Sequence, residues 1–266
     1  MRFLGLSRVV FAGCLLGVAV AAGRGFAADL ERGFVRVVQP RVTGEELGAQ
    51  HDLWVLETTM KPMRIIWVDV TDPKTGKKSK EQIWYVVYKV VNRPVQTKVD
   101  TTDTAPVNVE DPAPQQIFAP AATLVADDNS GQRIYEDSIV PQARAAILKR
   151  ERQELKDAVE IVGPIPPVTA ADAKAEKPYY GVFLFRGVDP RADAYTLFLS
   201  GFSSAYQNGK DADGKALTLR RTIVQEYERP GDEFNAFEGE LRLKGDARWV
   251  YRPDAPKAAK PAPARP

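Results

Sequence analysis

Gln82 to Val91 reads QIWYVVYKVV, a run that is apolar on both sides of an extended chain. Ile83, Tyr85, Val87 and Val91 share one face, and Trp84, Val86, Tyr88 and Val90 share the other; only Lys89 interrupts them. Side chains alternate across a strand, so a run apolar on both faces should be buried on both sides, or should pack its second face under a loop or helix. Trp84 and Tyr88 could also form an exposed aromatic platform, but large aromatic side chains mainly fill cores, and core packing is the expectation here. Everything else in the chain has to supply that cover.

Its neighbours are strand-like too. Asp52 to Thr58 (DLWVLET) and Arg64 to Val70 (RIIWVDV) precede it, and Asp72-Pro73-Lys74-Thr75-Gly76-Lys77-Lys78 turns the second of these into the central run as a β-hairpin with a basic tip. Asn92 to Gln116 is rich in Pro, Thr, Asp and Val without periodicity and reads as a long loop. Ile117 to Ala126 is a strand broken by Pro120, which argues for an edge position or a bulge, and a turn follows at Asp127-Asp128-Asn129-Ser130-Gly131. Pro141 to Ala158 (PQARAAILKRERQELKDA) predicts the one helix, with Pro141 in its first turn, an apolar stripe of Ala145, Ile147, Leu148 and Leu155, and a solvated charged face over Lys149-Arg150-Glu151-Arg152-Gln153-Glu154. After the Ala- and Lys-rich stretch 168–178, strands recur at Tyr179–Val188, Ala194–Phe202, Leu217–Tyr227, Phe237–Leu243 and Arg248–Tyr251. The fold expected is mainly β: two sandwich-like (Ig-like) domains, 29–167 with the helix and 179–252, joined by the linker 168–178. The Pro/Ala/Lys stretch 253–266 reads as a disordered cationic tail.

The N-terminus predicts export. Arg2 and Arg8 precede an uncharged run from Val9 to Gly23, the length of a signal-peptide core and shorter than a comfortable membrane span. Cleavage is expected after Ala27 or Ala28, with Ala21 as the earlier alternative, so 1–28 is the leader and no stable membrane span remains. Cys14, the only cysteine, leaves with it, which removes disulfides, thiol nucleophiles and zinc–thiolate sites from consideration. It also stands behind Phe11-Ala12-Gly13, in the manner of a weak lipidation signal. The formal charge of +2 for the whole chain includes Arg2, Arg8 and Arg24 of a leader without acids, so the mature chain carries −1. That balance argues against nucleic acid as a partner.

Catalytic parts are scarce. His51 is the only histidine, and its setting GAQHDLW matches no nucleophile or base motif, so a surface or packing role is expected. Asp211-Ala212-Asp213-Gly214 has the look of a calcium loop, but Gly209 and Arg220 stand where a full loop needs acids, and a hairpin turn is expected; Asp127-Asp128-Asn129 is read the same way. Asp189 with Asp193, and Glu226, Glu228, Asp232 and Glu233 around a Pro-Gly turn, are the carboxylates a glycosidase would draw on. Glycine-rich phosphate loops and nucleophile elbows are absent from the sequence.

Trp84 to Asn92, Tyr135-Glu136-Asp137-Ser138-Ile139-Val140-Pro141, and Gly181 to Tyr206 with Val188-Asp189-Pro190-Arg191 and Ser200-Gly201-Phe202 follow one another in an order that resembles a family of uncharacterised exported bacterial proteins of planctomycete type. The resemblance spans most of the mature chain and implies an exported protein; it carries no catalytic residue. The expected role is a non-catalytic extracytoplasmic binding or structural module for an envelope or extracellular protein or polysaccharide, with no catalytic, cofactor or metal residues assigned. The alternatives are a carboxylate-dependent polysaccharide hydrolase and an envelope protein tethered by its basic tail.

Overall fold

The computed structural model describes residues 33–50, 52–71, 75–95, 116–128, 131–170, 173, 175–192, 194–211, 213–228 and 241–253. The leader 1–28, His51, Asn129, Asp193, Asp232, Glu233 and the tail from 254 onward lie outside them. The described residues, from Gly33 to Pro253, belong to one compact unit.

The doubly apolar run lies in β4 (Lys78–Asn92), the centre of a five-stranded antiparallel sheet. β3 (Arg64–Thr71) and β2 (Leu56–Met60) lie end to end along one edge of β4, pairing Arg64 with Tyr85 and Met60 with Tyr88. Between them the chain is interrupted at Lys61–Met63, where the Lys61 N–H still reaches the Val87 carbonyl at 2.9 Å. β9 (Tyr179–Arg186) occupies the other edge, and β1 (Arg36–Val38) adds to β2.

A second, six-stranded antiparallel sheet holds β6 (Ala121–Asp128), β7 (Gly131–Glu136), β10 (Ala194–Ser200), β11 (Tyr206–Lys210), β12 (Ala216–Glu228) and β13 (Arg242–Pro253). Across it the strands run β7, β6, β10, β12, β13, with β11 beside the first half of β12. The short pair β5 (Ile117–Phe118) and β8 (Gly163–Pro164) stands apart.

The two sheets bury their inner faces against each other. Trp84, Val86 and Tyr88 of β4 meet Leu124, Tyr195, Leu197 and Tyr227 of the second sheet in one core. Trp84 lies 4.8 Å from the Tyr195 ring; Tyr88 stacks on Phe183 at 4.7 Å and meets Phe202 edge-on at 5.4 Å. Both rings are fully buried, so neither forms a surface platform. A short helix α1 (Gly44–Ala49), opened by a Thr43–Glu46 capping box, adds to the one helix expected. The other face of β4, Ile83, Tyr85 and Val87, lies under the helix α2 (Pro141–Glu151), whose Ala143 and Ile147 are buried against it. Both faces of β4 are therefore buried, one against a sheet and one under a helix.

Three expectations need correction. The helix stops at Glu151 rather than Ala158: Arg152 is left-handed (φ 53°), which frees Leu155 to enter the core and lets Lys156 pair with β9 through 3.1 and 3.0 Å bonds to Tyr180 and Val182. Long-range pairing outweighs the local helix propensity of 152–158. The buried helix residues are Ala143 and Ile147, and Ala145 is exposed. Second, Pro120 makes neither an edge nor a bulge. It sits in the break between β5 and β6, where its missing N–H takes no bond from the ladder, and β6 has partners on both sides.

Third, both large sheets draw strands from either side of the expected 168–178 linker: β9 joins β4, and β10 joins β6. The start of that linker and the residue two before it are themselves tied to β4, through Thr169 N–H to the Asn92 carbonyl (2.7 Å) and Asn92 Nδ2 to the Pro166 carbonyl (2.8 Å). A composition shift marks a boundary only when few contacts cross it, and here the central pairings cross it. The strands β7 and β11, polar and short, were not anticipated.

Candidate functional site

The outer face of the six-stranded sheet is the polar side of its alternation. Leu124, Leu197, Leu199 and Ile223 point inward, so Thr123, Phe198, Ser200 and Thr222 point outward. These four residues form part of the wall of a pocket of about 510 Å³. Pairing sets their arrangement: Glu136, Thr123 and Phe198 lie on one rung of β7, β6 and β10, while Ser200 stands opposite Ala121. With strands about 4.8 Å apart, Glu136 lies roughly 10 Å along the face from Phe198.

The other walls come from outside the sheet's centre. Ile139 and Val159 form an apolar lip, 55% and 63% exposed, with Pro120 and Ala158 beside them. Arg252 of β13 reaches across β12, and its guanidinium carbon sits 3.6 Å from the Phe198 ring centre. Burial lowers its pKa from the ordinary value. Among the described residues it has no carboxylate partner. Stacking on an aromatic face uses the plane of a guanidinium and leaves its N–H edge available.

Asp137 closes the pocket floor where β7 ends. Its Oδ1 accepts the Leu184 N–H of β9 at 2.7 Å, and its own N–H donates to the Ala122 carbonyl, so it ties the two sheets together. Burial raises its carboxyl to about 6; backbone N–H groups of Leu184 and Ser138 oppose that, and the nearby Asp157 charge adds to it. A carboxyl raised on folding contributes most when protonated: its stabilisation is full below the ordinary 3.8 and is lost as pH rises through about 6. Asp137→Asn removes that titration. The stability of wild type relative to D137N should fall between pH 4 and pH 7, by about 3 kcal/mol at most; parallel urea midpoints across that range would refute the assignment.

A second cluster lies under α2. Glu151, the last residue of the helix, is 3% exposed at its side chain and receives Lys61 Nζ at 2.9 Å, Arg64 Nη1 at 3.0 Å and the Tyr85 hydroxyl at 2.9 Å. The sequence placed it on a solvated charged face. Burial pushes its carboxyl up, and the bonds from Lys61 and Tyr85 with the charges of Lys61 and Arg64 outweigh this and hold it below the ordinary range. Every oxygen is occupied by protein donors, so the cluster locks α2 to the first sheet and offers no open face.

Among the described residues, the carboxylates named from the sequence, Asp189, Glu226 and Glu228, are not brought together in a cleft. Asp189 is held by Arg191 and Arg133 at 3.0 and 2.8 Å, and hydrogen bonds from Arg191 lower its carboxyl to about 2. Glu226 pairs with Arg248 at 2.8 Å, and Glu228 is exposed on the same strand. Asp211 Oδ1 accepts the N–H groups of Asp213 and Lys215 at 3.0 and 2.8 Å, with Gly214 at φ +80°: the segment is a hairpin turn between β11 and β12. Asp127 is exposed beside its turn. Among the described residues, no three His, Cys, Asp or Glu side chains are grouped to hold a metal ion, and no helix is long and apolar enough to cross a membrane. The pocket residues Glu136, Asp137 and Arg252 were missed because they are brought together only by pairings over long sequence distances. The one local signal was the Tyr135–Pro141 stretch quoted for its resemblance. No protein-family model, curated protein or solved structure matches the chain.

Proposed function

We propose that the chain is an exported, non-catalytic binding module whose recognition surface is the pocket on the outer face of the six-stranded sheet. The observation that carries this reading is the pocket's make-up: an apolar lip of Ile139 and Val159 facing outward hydroxyls, with a stacked, half-buried guanidinium among them. Small-ligand sites combine apolar walls with a few placed polar groups. The hydroxyls stand on the paired strands β6, β10 and β12, which hold them more firmly than loops would. Export rests on the leader 1–28 and the family resemblance, and the ligand is then an envelope or extracellular polymer, a polysaccharide or protein.

The test passes solubilised envelope polysaccharides and peptides over immobilised protein lacking 1–28. A Ser200→Tyr variant fills the pocket while leaving the strand pairing intact. Retention by wild type that is lost in S200Y, at unchanged melting temperature, supports the reading; equal retention by both, or none by either, overturns it.

A hydrolase is the second reading, and one observation favours it. Glu136 and Asp137 share the pocket, and burial brings Asp137 to about 6, a suitable range for a general acid. On that reading, Glu136→Gln and Asp137→Asn each lower turnover of a retained polysaccharide by about a hundredfold or more. Reducing-end assays that detect no turnover by wild type dispose of it.

A further inference from the structure

We infer that Arg252 is an anion anchor and that the pocket takes a small polyhydroxylated carboxylate, a sugar acid of the uronate type. This rests on the pocket being a binding site and adds which chemistry it selects.

The argument starts from the guanidinium. Arg252 comes from β13, yet its carbon lies 3.6 Å from the ring centre of Phe198 on β10, two strands away. Among the described residues, ten other arginines make ion pairs with acids or bonds to backbone carbonyls, as Arg186 does with Glu81 and Arg150 with the Ile65 carbonyl. Arg252, among the same residues, has the Phe198 ring and no acid. A cation already stripped of part of its water and fixed in one plane binds an anion at low ordering cost. A carboxylate matches the in-plane N–H edge with two parallel bonds.

The rest of the pocket says what the anion is attached to. Ser200 and Thr222 present hydroxyls on the same sheet face, and Glu136 lies roughly 10 Å from Phe198. That span matches one or two pyranose rings. The Ser200 and Thr222 hydroxyls can each donate and accept, which suits a ligand that carries hydroxyls of its own. Ile139 and Val159 supply the apolar surface on which the C–H face of a sugar ring packs.

The experiment uses the full exported chain, 29–266, and reads heteronuclear NMR titrations with glucuronate and galacturonate, with glucose as the neutral counterpart, and with glycine and inorganic sulfate as small zwitterion and bare anion. At least one uronate should bind about tenfold or more tighter than glucose, sulfate and glycine, with shifts in the amides of Phe198, Ser200 and Thr222. Arg252→Gln should abolish the preference for the uronate over glucose, and Arg252→Lys should lose most of it, because an ammonium has no planar fork. Neither variant should move the melting temperature by more than a few degrees. If glucose or glycine binds the same amides as tightly as the uronates, or if R252Q keeps the preference, the anchor is refuted and the binding site stands. Failure of every probe to move the pocket amides overturns the sugar-acid assignment as well, and S200Y retention of envelope polymers then decides the binding site separately.

Discussion

Glu151→Gln should cost about 3–5 kcal/mol of folding stability, measured as the shift in urea midpoint at pH 7. The substitution keeps the shape of the side chain and removes its charge. Lys61, whose side chain is 6% exposed, is then left beside a neutral amide with no other acid of the described residues at its Nζ, and Arg64 loses the same partner. A buried cation stripped of its counter-charge is among the few defects that reach this magnitude. The amide also places an N–H₂ group where two cations or the Tyr85 hydroxyl now donate. Tyr85→Phe removes one bond to a charged acceptor and should cost only about 1–3 kcal/mol. The double variant K61M/E151L replaces the buried charges with apolar volume and should recover a large part of the loss, since Arg64 is exposed enough to reach water. Acid should act in the same direction as E151Q. Glu151 titrates below its ordinary 4.5 in the folded state, so its contribution is intact above that value and disappears as pH falls through the folded-state value. An E151Q midpoint within 1 kcal/mol of wild type would show that the cluster is incidental to the docking of α2.

Gly201→Ala should destabilise by about 3 kcal/mol or more. Two separate costs add. Gly201 has φ +82°, a conformation that costs an L-residue about 1–2 kcal/mol. A Cβ there would also stand 2.2 Å from the Ala119 carbonyl oxygen and 2.9 Å from its carbon. These are backbone atoms just before Pro120, in the break between β5 and β6, and they cannot rotate away as a side chain does. Relief would displace either that break or Phe202, whose ring lies in the core and whose carbonyl accepts the Leu56 N–H at 3.0 Å. Gly245 separates the two costs: its φ is +65°, but a Cβ there meets nothing within 4 Å. G245A should therefore show only the conformational part, about 1–2 kcal/mol. Equal effects of the two substitutions on the melting temperature would remove the steric argument for Gly201.

How far the fold was legible depends on the range of the interaction that decides each feature. The two faces of β4, its hairpin with β3 and the turn at Asp211–Gly214 rest on alternation and turn chemistry over a few residues, and those were readable directly. The class, mainly antiparallel β, followed from the density of such strands. The end of α2 was not readable, because residues 152–158 have good helix formers but are claimed by β9 and by the core. Nor was the sharing of strands across 168–178: composition there resembles a linker, and nothing local tells β9 to seek β4 or β10 to seek β6. Glu151 shows the same limit for a single side chain. Among neighbours Lys149, Arg150 and Arg152 it reads as solvent-facing, and it is buried only because Lys61, interrupting β2 and β3, is delivered beneath it.

The amino-acid order alone determined where apolar faces had to be covered, since pleating sends neighbouring side chains to opposite sides whatever the strand is paired with. Tertiary structure alone decided which elements provide the cover and which charged groups meet, because those depend on bringing together residues as far apart as Arg36 and Asp246, or Pro120 and Arg252 in the pocket wall. The pocket with Arg252 over Phe198 belongs wholly to that second kind.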